Sequence, residues 1–266
     1  MLEKQNNVIS EKNKDITDSI NYAKKIQDAM LPDDKVFSAV FPENFVLFLP
    51  RDIVSGDFYW VAEKGSLKFI AVADCTGHGV PGSLMSMIGN GLLNQLILEK
   101  NITDPTEILG RMRAEIIRTL KQNESGEGTK DGMDIALCVI EKTGEIFNVK
   151  FSGANNPIFL ISKGQLQEVK GNNFPVGISV GELKYFSETT CTLEKGDLLY
   201  LFTDGFADQF GGDKGKKFKY KNLRETIVAN YSLEPNQQKE NLKKVFDNWK
   251  GNLDQVDDVT IVGIKL

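Results

Sequence analysis

Short apolar strands joined by glycine-containing turns occupy the middle of this 266-residue chain, and they constrain its fold most strongly. Strands are predicted near residues 135–141, 145–152, 158–161, 166–169, 184–193, 198–202 and 259–264. Turns are predicted at residues 142–144 and 162–165. Because connections this short join neighbouring strands into hairpins, the sheets are expected to be mainly antiparallel and not built from β-α-β crossovers.

Two groups of helices interrupt this β-rich pattern. Helices are predicted at residues 80–100 and 105–122, and again near 221–229 and 236–249. The helix at 105–122 begins with Asp104, Pro105 and Glu107 at the N-cap, N1 and N3 positions. The helix at 80–100 contains Gly82, Gly89 and Gly91, a pattern that indicates close packing or local mobility. Helix groups set into a run of hairpins predict an α+β sandwich.

The first part of the chain predicts an amphipathic helix over about residues 9–31, ended by Pro32. Its apolar stripe is narrow, with Ile9, Ile16, Ala23 and Met30 spaced seven apart. Such a helix either packs on its own domain or forms a coiled-coil connector to a second helix. In both cases it lies outside the catalytic core, so residues 1–32 are expected to form a linker or dimerisation segment and residues 33–266 the main domain.

Composition narrows the classes of protein that the chain can belong to. It has 41% hydrophobic and 26% charged residues, as ordinary globular proteins do, and its net charge of -5 gives no general attraction to nucleic acid. No apolar run approaches the roughly 18 residues that span a bilayer, and residues 1–7 lack a signal-peptide core, so a cytoplasmic location is expected. Three cysteines and one histidine indicate neither a disulfide framework nor a zinc site.

Four aspartates lie at the edges of β-rich runs that are far apart in the sequence. Asp74 follows the apolar run at 69–73 and precedes a glycine turn that carries His78, the only histidine. Asp57 precedes the Phe-Tyr-Trp segment, Asp204 follows the strand at 198–202, and Asp257 lies before the last strand. One such aspartate is usually a turn or cap residue, but four together predict a site.

These motifs, in this order, resemble the metal-dependent protein phosphatase superfamily in its bacterial SpoIIE-type branch. The motifs are Ser-Gly-Asp-Phe-Tyr-Trp, Ala-Asp-Cys-Thr-Gly-His-Gly-Val-Pro-Gly, Gly-Asp-Leu-Leu-Tyr-Leu-Phe-Thr-Asp-Gly and Asp-Asp-Val-Thr-Ile-Val. The similarity runs from about residue 45 to the C-terminus. It implies a four-layer αββα sandwich, with two mainly antiparallel sheets flanked by helices.

The resemblance also implies a pair of bound cations. Asp57 and Asp74 are the expected principal ligands, the backbone carbonyl of Cys75 adds a ligand, and Asp204 and Asp257 complete the charge. Hard oxygen ligands favour Mg²⁺ or Mn²⁺. Without cations, two carboxylates about 4 Å apart would repel by roughly 4 kcal/mol at an effective dielectric constant of 20.

Other polar residues near the motifs each allow two interpretations of their role. His78 could protonate the leaving oxygen, or it could fix the turn at residues 77–81. Arg51 could bind phosphate, although a surface arginine explains it as well. Asp131 and Asp134 could hold a third metal in relatives, or they could be ordinary polar loop residues.

One segment departs from the family pattern. The usual Ala-Gly-His-Asn-Pro-Pro appears here as Ser152-Gly153-Ala154-Asn155-Asn156-Pro157. The substitution removes a histidine and argues against a catalytic role for that loop, while the expected metal positions are intact.

The resemblance implies a serine/threonine protein phosphatase whose substrate is a phosphorylated regulatory protein, typically an anti-sigma-factor antagonist of the STAS type. In relatives, a helix such as 9–31 joins the phosphatase to an upstream sensor, which implies a parallel homodimer through this helix. The alternative is a catalytically silent signalling module that keeps the fold and binds a partner. Such modules usually lose a metal ligand, and here all four aspartates are present.

Overall fold

The computed structural model describes residues 2–123, 129–179 and 184–266. In those ranges the α-helices are α1 (Leu2–Met30), α2 (Asp34–Val40), α3 (Gly79–Leu93), α4 (Pro105–Thr119), α5 (Gly205–Asp208), α6 (Lys219–Asn230) and α7 (Pro235–Lys250). A π-helical segment, Asn94–Glu99, continues α3. None of the helices in the described ranges combines the length and the apolar character needed to cross a membrane.

The strands form two five-stranded antiparallel sheets and a short ribbon. They are β1 (Glu43–Leu49), β2 (Phe58–Lys64), β3 (Leu67–Cys75), β4 (Met133–Thr143), β5 (Ile146–Ala154), β6 (Ile158–Ser162), β7 (Gln165–Val169), β8 (Thr189–Glu194), β9 (Leu198–Phe202), β10 (Phe210–Gly211), β11 (Lys216–Lys217) and β12 (Val259–Lys265). The first sheet has the order β1-β12-β9-β6-β7 and the second the order β2-β3-β4-β5-β8. The predicted hairpins are confirmed as β4-β5 and β6-β7.

Three apolar clusters separate four layers, which confirms the αββα sandwich. Ile70 and Leu201 belong to the cluster between the two sheets. Met112 of α4 lies in the cluster that joins α3 and α4 to the second sheet. Phe246 of α7 lies in the cluster that joins α6 and α7 to the first sheet. The central strands β3, β4, β9 and β12 therefore pack on both faces, which explains their nearly continuous apolar sequence.

The structure corrects one predicted strand and adds one helix. The strand predicted at 184–193 begins only at Thr189, because the backbone before it bonds to side chains: the carbonyl of Lys184 accepts from Arg113, and the amide of Ser187 donates to Asn172. Of the loop predicted at residues 123–132, residues 124–128 lie outside the described ranges. The unpredicted α2 begins where the side chain of Asp33 accepts a hydrogen bond from the amide of Val36.

The two alternatives for the N-terminal helix apply to different parts of α1. Residues 2–19 are exposed along their whole length. In the last three turns, Ile20, Ala23, Gln27 and Met30 are partly or fully covered. The side chain of Asn90 in α3 donates to the carbonyl of Met30. The helix thus packs on its own domain at its C-terminal end, while its N-terminal two-thirds remains free to meet another helix.

The two glycines in the middle of α3 are expected to respond oppositely to alanine. A Cβ on Gly89 would lie 2.8 Å from atoms of Phe58 and Met133, whereas nothing lies within 4 Å of one on Gly91. Gly89→Ala should destabilise the chain by about 1–3 kcal/mol through overpacking. Gly91→Ala should stabilise it by up to about 1 kcal/mol through helix propensity. Urea unfolding of both variants checks this, and equal shifts would contradict the close packing at Gly89.

Candidate metal centre

Four aspartates come together at one end of the sandwich. Asp57 precedes β2, Asp74 lies near the end of β3, Asp204 follows β9 and Asp257 precedes β12. Asp57 and Asp74 therefore adjoin strands of the second sheet, whereas Asp204 and Asp257 adjoin strands of the first sheet. The charge of Asp204 raises the pKa of Asp74, and the charge of Asp257 raises that of Asp204, so these carboxyl groups lie close together. The predicted metal ligands therefore meet across the two sheets.

Asp57 is the most deeply buried of the four, with 1% of its surface exposed. Its Oδ2 accepts hydrogen bonds from the hydroxyls of Thr203, at 2.7 Å, and Thr260, at 2.8 Å. Burial raises the pKa of Asp57 well above its usual value, although the two hydroxyls lower it. Both threonines belong to the first sheet, so Asp57 ties the sheets together at the site.

Burial and the mutual repulsion of the carboxylates raise their pKa values. Burial, followed by the charges of Asp57 and Asp204, raises the pKa of Asp74 to about 10. Burial, followed by the charges of Asp208 and Asp257, raises the pKa of Asp204 to about 6. Burial also raises the pKa of Asp257. Cations would relieve this repulsion, because they favour the ionised form of every member.

The donor set fits magnesium or manganese, which bind carboxylate and carbonyl oxygens. The turn after Asp74 approaches the loop before Asp57 closely: a Cβ on Gly56 would lie 2.5 Å from the carbonyl oxygen of Gly77 and 3.2 Å from that of Cys75. Among the described residues, no three carboxylate, imidazole or thiol groups already converge as a metal site.

Asp258 has a different role from Asp257. Its two carboxylate oxygens accept 2.7 Å hydrogen bonds from the backbone amides of Arg51 and Gly56. It is buried, whereas Asp257 is half-buried. Asp258 therefore fixes the loop that leads to Asp57, and Asp257 keeps the exposed carboxylate.

His78 and Arg51 both lie near Asp257, and their charges lower its pKa in opposition to its burial. The Nδ1 of His78 lies 2.7 Å from Oδ2 of Asp52, and both side chains are nearly half exposed. The Arg51 guanidinium donates to the carbonyl of Val256. Asp52, the partner of the histidine, was missed by the sequence prediction, although it lies in the same segment as Asp57.

Of the two aspartates considered for a third metal, Asp134 adjoins the cluster. It pairs with Asp74 in the β3-β4 register, and its charge raises the pKa of Asp74 and Asp204. Its Oδ1 accepts a 2.7 Å hydrogen bond from Asn155, which lies in the segment that lacks the family's histidine. The backbone carbonyl of Asp131 accepts a hydrogen bond from the side chain of Gln122.

Gln27 of α1 reaches this site, which the sequence did not predict. Its Nε2 donates to the carbonyl of Ser55 at 2.6 Å and to the hydroxyl of Ser86 at 2.9 Å, while its Oε1 accepts from the amide of Ser55. Ser55 lies two residues before Asp57, and Ser86 lies in α3. The N-terminal helix is therefore bonded to the loop that leads to Asp57 and to α3, the helix that follows the turn after Asp74.

The raised pKa values predict how metal-free stability depends on pH. Carboxyl groups that bind protons more tightly when folded contribute stability below their unfolded pKa, and this stability is lost as pH rises through the folded pKa. For Asp204 this stability is lost between pH 3.8 and about pH 6, and for Asp74 between pH 3.8 and about pH 10, because these are the ordinary and the folded pKa values. In chelator, the free energy of unfolding should therefore fall as pH rises from about 5 to about 8.

Urea unfolding at several pH values measures this slope. Asp74→Asn should flatten it, and saturating Mg²⁺ should oppose it, because a cation favours the ionised carboxylates. A slope that is the same in the wild-type protein and in Asp74→Asn would contradict the assignment of the proton to this cluster.

Comparison with known proteins agrees with this geometry. The sequence profile of the family described as Stage II sporulation protein E (SpoIIE) matches residues 65–266. The phosphoserine phosphatase RsbU of Bacillus subtilis is 26% identical over 200 residues, which cover 73% of this chain and 55% of RsbU. The chain thus spans about half the length of that relative.

Two solved structures resemble the whole architecture. The SiaA-PP2C domain of Pseudomonas aeruginosa is 31% identical with a TM-score of 0.85, and the match covers 97% of this chain and 98% of that domain. The PP2C phosphatase domain of SpoIIE from Bacillus subtilis, solved with a fragment of its regulatory domain, is 19% identical with a TM-score of 0.66. That match covers 84% of this chain and 62% of the other, and it shows a shared fold.

Proposed function

Because this chain belongs to the SpoIIE family, we propose that it is a serine/threonine protein phosphatase that depends on Mg²⁺ or Mn²⁺. The observation that carries this proposal is that Asp57, Asp74, Asp204 and Asp257 lie near one another at one end of the two sheets, with raised pKa values in all four. Such a cluster is unfavourable unless cations bind it.

Two cations bound there would neutralise the phosphate oxygens and lower the pKa of a water molecule that attacks phosphorus directly. Asp57 and Asp74 would hold them, with Cys75 contributing its backbone carbonyl and Asp204 and Asp257 completing the negative charge. Thr203 and Thr260 orient the Asp57 carboxylate through one oxygen, which leaves its Oδ1 for a cation. The phosphate monoester is then hydrolysed without a covalent enzyme intermediate.

His78 and Arg51 supply the positive charge on the open side of the cluster. Asp52 engages the Nδ1 of His78, which leaves the other ring nitrogen, Nε2, to hold or deliver a proton beside Asp257. Arg51 is tied by its backbone to Asp258 and by its side chain to Val256, so its position is set by the same loop. In this proposal, His78 would act on the leaving oxygen and Arg51 on the phosphate.

The proposed substrate is a phosphorylated regulatory protein, such as an anti-sigma-factor antagonist of the STAS type. The support is the likeness to RsbU, a phosphoserine phosphatase, of which this chain spans about half. The exposed part of α1 supports a homodimer and a connection to an upstream sensor, and the bonds of Gln27 give such a connection a route to Asp57 and α3.

Hydrolysis of a chromogenic aryl phosphate with and without Mn²⁺ or Mg²⁺ tests the enzymatic proposal. Activity should require the metal, stop with chelator, and survive treatment with a thiol-alkylating reagent. The thiols of Cys75 and Cys138 are buried, and burial raises the pKa of both, so neither is a ready nucleophile.

Two results would count against this mechanism: full activity in chelator, or loss of activity on alkylation while metal stays bound. Absence of turnover with a melting temperature that still rises on adding metal would instead favour the silent, partner-binding module. At a hundredfold excess of metal over its dissociation constant, the rise in stability should be about 2.7 kcal/mol.

A further inference from the structure

A cavity lined by lysine side chains lies at the end of the sandwich opposite the carboxylates. Lys68 is near the start of β3, Lys142 near the end of β4 and Lys265 at the end of β12, and all three line a cavity of about 270 Å³. The aspartates lie at the other ends of the same strands. With about 3.3 Å per residue over the 7 residues of β12 and the 9 of β3, the two sites are roughly 20–27 Å apart.

The side chains that line this cavity are strongly basic. Four lysines, including Lys195 of the β8-β9 turn, face one carboxylate, that of Glu43. Glu43 accepts a 2.6 Å hydrogen bond from Lys265. The chain as a whole carries a charge of -5, so a cluster of four lysines is not a general property of its surface.

Two of the lysines already have partners and two are available. Lys68 donates to the carbonyl of Val40 and lies 5.6 Å from the ring centre of Phe41. Lys142 lies over the ring of Phe147, at 5.3 Å, and within the described residues neither Lys142 nor Lys195 makes a hydrogen bond or an ion pair. The available ammonium groups thus stand beside apolar walls formed by Phe41, Phe147 and Ile140.

We propose that this cavity is a binding site for a small organic anion whose carboxylate, sulfonate or phosphate group is attached to a flat apolar body. The anionic group would bind Lys142 and Lys195, and the body would lie against Phe147 and Phe41. The volume is near the lower end of the range for small-molecule sites, roughly 300–1,000 Å³, so a one- or two-ring ligand fits. The cavity is contacted by both sheets, because β1 and β12 form one wall and β3, β4 and β5 the other.

Calorimetric titration of the full chain with naphthalene-2-carboxylate tests the proposal. Chelator is present, so that metal at the aspartate cluster cannot bind the probe. The uncharged naphthalene-2-carboxamide shows what the ring alone contributes, and acetate shows what the charge alone contributes. The carboxylate should bind most tightly, and its affinity should fall as salt is added.

The variant Lys142→Gln with Lys195→Gln should weaken binding of the carboxylate about tenfold. Both lysines are exposed, so the fold should be kept. The matched control is Lys214→Gln with Lys239→Gln, which removes two exposed lysines elsewhere and should bind like the wild type. The proposal is overturned if the carboxylate does not bind at millimolar concentration, if the carboxamide binds equally well, or if the two double variants behave alike.

Discussion

Asp204→Asn is expected to reduce metal-dependent hydrolysis by at least about a thousandfold. In the proposed mechanism, bound cations would stabilise the transition state by several kcal/mol, and each 1.4 kcal/mol corresponds to about tenfold in rate. The charge of Asp204 acts on Asp74, and its removal would weaken the field that retains the cations. Turnover of the aryl phosphate across a wide range of Mn²⁺ concentration separates weaker metal binding from slower chemistry.

The matched control is Asp213→Asn, in the turn between β10 and β11. Asp213 is exposed on the protein surface, and its loss should change the rate by less than about threefold. The metal-free Asp204→Asn protein should remain folded and gain stability near neutral pH, because one charge leaves a repelling cluster. Equal activity of the two variants would remove Asp204 from the site.

Ile16→Asp is expected to abolish a dimer formed through α1. Ile9 and Ile16 each have 57% of their surface exposed, although they continue the seven-residue repeat of Ala23 and Met30. Each dimer would bury two copies of Ile16, at about 1.5 kcal/mol or more for each, so the dissociation constant should rise more than about a hundredfold. Sedimentation at micromolar concentration measures this directly.

Asn21→Asp adds the same charge on the other side of the helix, where the residue is exposed, and it should leave the dimer intact. Ile16→Asp should also keep its activity toward the aryl phosphate, because Ile16 is 57% exposed and lies well before Gln27, which bonds to Ser55 and Ser86. A wild-type chain that sediments as a monomer would refute the dimer outright.

The sequence predicted the strands and hairpins well because their periodicity and turns are local. The helix start at Asp104 was equally readable, since its side chain accepts hydrogen bonds from the amides of Thr106 and Glu107. The short α2 and the β10-β11 ribbon carry too few residues for a periodic signal. The neighbours of β12 were not predictable locally, because its partners β1 and β9 lie far away in the sequence.

The candidate site was also predictable from the sequence only in part. Its aspartates were recognisable because each lies at a strand end in a specific motif. The contacts that hold them were not, since Gln27 meets Ser55 and Ser86, and Thr260 meets Asp57, only after folding. The sequence does contain one indication of Thr203 and Thr260: each is a polar residue beside or within an otherwise apolar, fully buried strand.

The position of β12 has a consequence for how the chain folds. It lies between β1 and β9 in the first sheet, and its register joins Glu43 to Lys265, two residues 222 positions apart. Contacts this distant slow folding, because a long segment must be ordered before they form. Until β12 is in place, β1 and β9 each present an unpaired edge, which favours aggregation. Thr260 also lies in β12, so a partly synthesised chain cannot complete the hydrogen bonds of Asp57, and phosphatase activity should appear only with the last strand.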